Sequence, residues 1–340
     1  MTRVALIGLG AMGRNHLRVL SEIESADLVA VCDSNETAVA AARRRYGMKG
    51  YDSWREMLDH EQLDAVVVAV PTRFHREVGV AALEHGVHLL VEKPIAPTLE
   101  EGRALVEAAS KSGRLLAVGH IERFNPAVRE LQKRIVAGEL GRVFQVHARR
   151  EGPFPARIRD VGVVIDLATH DLDVMGRIVG SNVTRLFAET EQRIHTEHED
   201  MLNAVLRFDS GAVGVLQVNW LTPTKIRELS VLGERGLFTV NYLTQELTHF
   251  KNAEVQGGTG SLSHLRTVSE GEVIRFPVAH SEPLRLELQS FLQAVDDGGP
   301  AEVDGEAGLR ALHLALALIT SASEGRAIGS EELAKSWGGV

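Results

Sequence analysis

The chain has 340 residues, enough for about two domains, and 44% hydrophobic residues supply a globular core. A formal charge of −9 argues against a general nucleic-acid binder, which needs clustered lysine and arginine, and no apolar run reaches the ~18–20 residues of a membrane span. The single cysteine, Cys32, rules out an internal disulfide, and the opening residues read as a strand, not a signal peptide. The expectation is a soluble, cytoplasmic protein with no nucleic-acid or membrane partner.

The first strand, Val4 to Ile7, runs into Gly8-Leu9-Gly10-Ala11-Met12-Gly13, and a helical pattern follows through Leu17, Val19 and Leu20. Gly8 permits the tight turn, Gly10 lets backbone approach a pyrophosphate, and Gly13 lets helix pack closely on strand. The N–H groups of Ala11, Met12 and Gly13 at the helix start would face phosphate oxygens. A second strand, Leu28 to Cys32, ends at Asp33, twenty residues after Gly13, where a carboxylate meets a ribose 2′-hydroxyl. Asp33 would repel a 2′-phosphate, and Ser34-Asn35-Glu36 offers no basic residue to receive one, so the cofactor expected is NAD, not NADP. Cys32 reads as core packing, since no basic partner adjoins it.

Strand and helix then alternate. Helix 36–46 is closed by Gly47, a short helix covers 53–59, and strand 65–70 precedes helix 73–85. Strand 87–91, helix 98–112 and strand 115–118 follow. Continuous apolar strands between helices predict a doubly wound parallel sheet, an α/β dinucleotide domain over residues 1–120. The pattern changes after that. A helix at 126–137, a strand at 143–150, an irregular stretch at 151–161 and a helix at 162–179 lead into short β segments between 182 and 276. Asp209-Ser210-Gly211 marks a hairpin among these. The expectation is an α+β domain over 121–340 with a large, mainly antiparallel open sheet, closed by helices at 282–297 and 304–323. Those helices could pack back near the first domain. Residues 252–270 read as a loop and Asp304 as a helix cap.

Ligands of open parallel sheets lie beyond the carboxyl ends of the strands. Three of these ends carry unusual chemistry: Val70-Pro71-Thr72 with His75, Glu92-Lys93-Pro94, and Gly119-His120 followed by Arg123-Phe124-Asn125-Pro126. Lys93 follows an apolar strand. It is either a partly desolvated ammonium turned to the ligand or a rim lysine paired with Glu92. On the helix 162–179, Asp166 and His170 stand four apart on one face, and Asp173 extends it. This suits a proton relay in which histidine exchanges the proton and a carboxylate orients it. No third ligand stands at a recognisable spacing, so no metal is expected. Five arginines (142, 149, 150, 157 and 159) stand against one acid, Glu151, with Phe154 among them. They are either a phosphate-binding group with a stacking aromatic or a solvated edge or subunit contact.

On Gly8-x-Gly10-x-x-Gly13, Asp33, Pro71-Thr72 with His75, Glu92-Lys93-Pro94, the Asp166/His170/Asp173 set and the closing Val303–Leu312 segment, the chain resembles the glucose–fructose oxidoreductase/inositol dehydrogenase (Gfo/Idh/MocA) family along essentially its whole length. The resemblance implies that Lys93 and His170 act at the hydroxyl being oxidised and that Asp166 binds or orients the substrate. It also implies that Ser34, Val70, Pro71, Thr72, His75, Glu92 and Lys93 join the glycine turn around NAD. The C-terminal sheet would then carry homodimer or homotetramer contacts. The runs 119–126 and 282–288 look like the branch that oxidises UDP-N-acetylglucosamine at its 3-hydroxyl, which would recruit Arg123, Asn125, Arg149 and Arg157 to the substrate. A free polyol or sugar, or glycosidic cleavage with NAD recycled in place, remains open.

Overall fold

In the computed structural model, residues 1–155, 161–195, 197–253 and 270–338 are described. Six strands form the first sheet: β1 (Thr2–Ile7), β2 (Ala26–Cys32), β3 (Lys49–Tyr51), β4 (Ala65–Val68), β5 (His88–Glu92) and β6 (Leu116–Gly119). Their order is β3-β2-β1-β4-β5-β6 and every pairing is parallel. The order reverses between β1 and β4, the place where a doubly wound sheet leaves a crevice at its strand ends. Helices α1 (Ala11–Leu20), α2 (Glu36–Tyr46), α3 (Trp54–His60), α4 (His75–Glu84) and α5 (Leu99–Ser112) make the crossovers. Asn35, Ser53 and Thr98 cap three of them through side-chain oxygens, which satisfy N–H groups that a helix start cannot pair internally.

The strands are apolar throughout because both faces are covered: Val4, Leu6, Val67 and Leu90 are at most 1% exposed. Leu284, Leu288, Phe291 and Leu292 of the helix Pro283–Asp297 enter the same core as Leu17 and Leu20 of α1. The first compact unit accordingly comprises Met1–Phe124 and Ser281–Leu314, and the second comprises Asn125–His280 and Ala315–Val340. The division falls inside the helix Gly305–Glu324, whose start Asp304 caps at Ala307 N–H, 2.8 Å away.

In the second unit, α6 (Pro126–Val136) leads to β7 (Val143–Pro153), then a π-helical turn Val164–Ala168 and α7 (Thr169–Val179). Next come β8 (Val183–Glu191), β9 (Met201–Phe208), β10 (Val213–Asn219), β11 (Leu221–Gly233), β12 (Gly236–Asn241), β13 (Glu246–Asn252) and β14 (Glu270–Phe276). With β15 (Ile328–Gly329) they form one sheet in the order β14-β13-β12-β11-β7-β10-β9-β8-β15. All pairings are antiparallel except β7 with β10, so the sheet is mixed, with the hairpin at Asp209–Gly211 joining β9 to β10. The sequence pattern stopped the β7 strand at 150 and singled out neither β3, β8 nor β14. Of the loop expected at 252–270, residues 254–269 lie outside those described.

Alternation along these strands sets two faces. Val146 and Ala148 of β7, Leu206 of β9 and Leu216 of β10 are buried on one, while Phe187, Val205, Leu232, Phe250 and Val273 are exposed on the other. α7 packs on β7, and α6 packs on β12 and β13. Among the described residues no helix is long and apolar enough to cross a membrane.

Candidate active site

The glycine turn follows β1 and is tied to its neighbours: Gly8 N–H donates to the Cys32 carbonyl at 2.8 Å, and Ala69 N–H to the Ile7 carbonyl at 2.8 Å. Gly8 has φ +101°, a conformation that side chains resist, and a Cβ there would sit 2.5 Å from the Ala69 oxygen. A Cβ on Gly13 would lie 1.9 Å from the Gly8 oxygen, whereas one on Gly10 would meet nothing within 4 Å. Gly13 is therefore glycine for packing, and Gly10 borders open space. Helix α1 starts there with no side-chain cap and no acid in its first turn, so its leading N–H groups and dipole suit an anion.

Asp33 stands at the end of β2. Its carboxylate accepts from Leu9 N–H at 2.5 Å and Asn35 N–H at 2.8 Å, which aims it across the turn and leaves lone pairs for a ribose hydroxyl. Ser34 beside it is exposed. Cys32 is buried and free, and burial, aided by Asp33 and Asp52, pushes its thiol up to about 12, so it is inert. Turn, helix start and acid together fit a dinucleotide diphosphate and ribose.

Beyond β5, Glu92 is 9% exposed and its carboxylate turns inward. Oε1 lies 2.7 Å from Nε2 of His16, a wholly buried residue of α1, and Oε2 accepts from the N–H of Lys93 at 3.2 Å. Gly119 of β6 pairs opposite and leaves room for that carboxylate. Burial alone would raise Glu92. The His16 hydrogen bond, with the electrostatic pull of His16 and Lys93, outweighs it and holds the carboxyl below the usual range. Lys93, partly buried, leaves β5 through a cis bond to Pro94.

His75 is 1% exposed, with Nδ1 3.0 Å from the Pro94 carbonyl and Nε2 3.0 Å from the Val70 carbonyl. Burial lowers its pKa against the pull of those carbonyls and Glu92, so the ring is neutral and donates to one of the two. It ties the end of β4 to the turn after β5, and Pro71 and Thr72 start the first of the loops it holds. Near Glu92, the helix Pro283–Asp297 buries Glu287 at 2% exposure, and among the described residues neither carboxyl oxygen has a hydrogen-bond partner. Burial, and secondly the Glu92 charge, pushes Glu287 well above the carboxylate range, so it is a neutral acid.

In the second unit, Asp166 occupies the middle of the π-helical turn and His170 is the second residue of α7, both partly buried. The wider turn rotates one against the other relative to a plain α-helix, and such turns recur at functional sites. Asp173 is 6% exposed. Asp171 takes the neighbouring face: its two oxygens lie 2.7 and 3.0 Å from Nε and Nη2 of Arg150, and the side chains are 1% and 5% exposed.

This pair corrects the arginine reading. Arg150 points to the α7 face of β7 and neutralises Asp171. Arg149, one residue earlier, points to the opposite face, where it pairs with Glu151 at 3.3 Å and with the cross-strand Glu228 at 3.4 Å. Arg142 pairs with Glu234. Three of the five arginines thus serve four different acids, and Arg149 does not stand with Asp166 and His170. Arg157 and Arg159 lie outside the described residues. Asn125 is a second correction. It is 2% exposed, its Oδ1 accepts from Ala127 N–H at 3.1 Å, and its Nδ2 donates to the Tyr242 carbonyl at 3.1 Å. It caps α6 and, buried as it is, spends its oxygen and one amide N–H on the backbone of its own unit. Arg123, in the first unit, donates to the Glu302 carbonyl at 3.2 Å.

The sequence reading missed His16 and Arg150 as partners of Glu92 and Asp171. The signal was present in both: His16 shares the buried face of α1 with Gly13, Leu17 and Leu20, and Arg150 continues the inward alternation of Val146 and Ala148. Among the described residues no group of His, Cys, Asp and Glu is arranged to hold a metal ion.

Comparisons agree with this architecture. Residues 2–120 match the oxidoreductase family's NAD-binding Rossmann fold, and residues 132–329 match its C-terminal alpha/beta domain. The UDP-N-acetylglucosamine 3-dehydrogenase of Acidithiobacillus ferrooxidans is 29% identical over 92% of this chain and 95% of its own. The myo-inositol 2-dehydrogenase of Thermotoga maritima is 29% identical over 97% and 99%. The solved structure of the WlbA dehydrogenase from Bordetella pertussis, in complex with NADH and UDP-GlcNAcA, is 26% identical with a TM-score of 0.79, covering 96% of this chain and 98% of that one. The chain belongs to the Gfo/Idh/MocA oxidoreductase family, and it is an NAD-dependent dehydrogenase of the sugar and polyol class.

Proposed function

We propose that this dehydrogenase oxidises a secondary hydroxyl of a nucleotide-sugar, and that UDP-N-acetylglucosamine, oxidised at C3, is the substrate. The observation that carries the reading is the chain-long likeness to the Acidithiobacillus ferrooxidans enzyme of that activity, joined to the 119–126 run that resembles the same branch. The inositol dehydrogenase likeness, equal in identity, makes a free polyol the competing substrate.

The glycine turn and Asp33 hold the dinucleotide, which when bound supplies the hydride acceptor. Lys93 and His170 serve the hydroxyl, one taking its proton while the other holds its oxygen, and Asp166 orients the sugar. The carbon loses a hydride, the oxygen a proton, and a ketone results. The exposed apolar positions Phe187, Val205 and Leu232 on the second unit's sheet support self-association into a dimer or tetramer, read by light scattering.

NADH absorbance during incubation with UDP-N-acetylglucosamine, myo-inositol and glucose tests the reading. NADH forming with the nucleotide-sugar supports it. NADH forming with the free polyol alone overturns it, and glycosidic cleavage without net NADH points to recycling in place. Lys93→Ala and His170→Ala should each abolish turnover while leaving NAD affinity within ~3-fold of wild type.

A further inference from the structure

The π-helical turn that carries Asp166 is supported at its start by Glu199. Two N–H groups at its start, those of Val163 and Val164, are of the kind that a helix start cannot pair internally. Both donate to Glu199: Val163 N–H to its carbonyl oxygen at 2.9 Å and Val164 N–H to its carboxylate Oε1 at 3.1 Å. A carboxylate there also opposes the positive end of the helix.

Glu199 is held firmly for the purpose. The next residue, Asp200, is wholly buried, and its Oδ2 accepts from the N–H groups of Arg193, Ile194 and His195 at 2.8, 2.5 and 3.1 Å. Its own backbone is bonded on both sides, to the Glu191 carbonyl and from Trp220 N–H, each at 2.9 Å. His195 Nδ1 closes the turn by accepting from Glu197 and His198 N–H, each at 3.1 Å. Facing Glu199 is Gly162. A Cβ there would lie 2.0 Å from Oε1 and 2.2 Å from Cδ of Glu199, so any side chain at 162 would drive the carboxylate off Val164.

We propose that Glu199, seated against Gly162, is a positioning residue for the reaction: it pins the start of the π-helical turn and so sets the rotation of Asp166 against His170. A π-helical turn is a strained insert in an α-helix and persists only where its surroundings specify it. Released from Glu199, the segment relaxes toward α geometry and turns Asp166 away from its working direction, and a misplacement of about 1 Å costs up to ~100-fold in rate. The proposal rests on the assignment of Asp166 and His170 to the substrate.

Steady-state kinetics with the sugar substrate, beside NAD titration and thermal melts, test it. Glu199→Ala lowers kcat/KM by about 10- to 100-fold with NAD affinity unchanged. Glu199→Gln, whose amide oxygen still accepts from Val164 N–H, stays within ~3-fold of wild type. Gly162→Ala reproduces the Glu199→Ala loss, and the double variant is no worse than either single one, because both break the same contact. Loss of melting temperature with kcat/KM intact in Glu199→Ala overturns the proposal, as do losses that multiply in the double variant. Asp166→Ala and His170→Ala serve as controls. If they abolish turnover and Glu199→Ala does not, only the clamp fails; if none of the three matters, the assignment of this helix fails and takes the clamp with it.

Discussion

Replacing Gly10 and Gly13 separately by alanine should split one glycine motif into two functions. At Gly13 the new Cβ would lie 1.9 Å from the Gly8 oxygen and 2.7 Å from its carbon, both backbone atoms of a buried turn. The α1 backbone would have to lift off β1 by more than an ångström, which places the cost at the upper end of overpacking, ~3 kcal/mol. At Gly10 the Cβ meets nothing within 4 Å, and φ is −65°, which alanine adopts freely. Its poorer capping and its smaller unfolded-state entropy offset one another, so stability changes by only ~0.5 kcal/mol. The methyl group stands instead where the diphosphate approaches the first N–H groups of α1. Losing one charge-assisted hydrogen bond there, worth ~1.5–3 kcal/mol, weakens NAD by about 10- to 150-fold. Urea unfolding without cofactor and NAD titration by calorimetry give the two quantities independently. Equal destabilisation by the two variants, or wild-type NAD affinity in Gly10→Ala, would refute the division of roles.

Arg150→Met should cost ~3–5 kcal/mol in urea unfolding, because it strands the Asp171 carboxylate at 1% exposure, while Arg150→Met with Asp171→Leu should recover most of that loss. A double variant as unstable as the single one speaks against the pair. Glu287 sets a pH dependence. Its carboxyl is raised by burial and by Glu92, so the folded state keeps a proton that the unfolded chain releases near its ordinary value of 4.5. That contribution is complete below pH 4.5 and is lost as pH rises through the folded value, since the fold must then bury a charge. Glu287→Gln should therefore match wild-type melting temperature at pH 4 and exceed it increasingly toward pH 9, and parallel curves would exclude the effect. His75 has the opposite sign: its lowered pKa makes stability fall as pH drops below the ordinary 6.5, and His75→Gln should blunt that fall in melts between pH 7 and pH 5.

The dinucleotide turn was legible in the sequence because it is local. Gly8, Gly10, Gly13 and Asp33 lie in one strand–helix–strand unit, where spacing fixes geometry, and the apolar runs of β4 and β5 announce strands covered on both sides. The Glu92-Lys93-Pro94 end and the Asp166/His170 spacing were readable for the same reason. What those groups touch was not. Arg149 and Arg150 are adjacent in sequence, and strand alternation says only that they face opposite ways; the pairing of β7 with β11 and its packing under α7 decide which one meets Asp171. His16 finds Glu92 across 76 residues and Glu199 finds Val164 across 35, each through chain crossings that no local period encodes. The turn at Asp166 reads as α-helix in sequence and is π in the structure, because the contact that selects it comes from another part of the chain. Periodicity determined the elements and their two faces; the neighbours across those faces, and with them every buried charge pair, were set only when the strands took their places in the sheets.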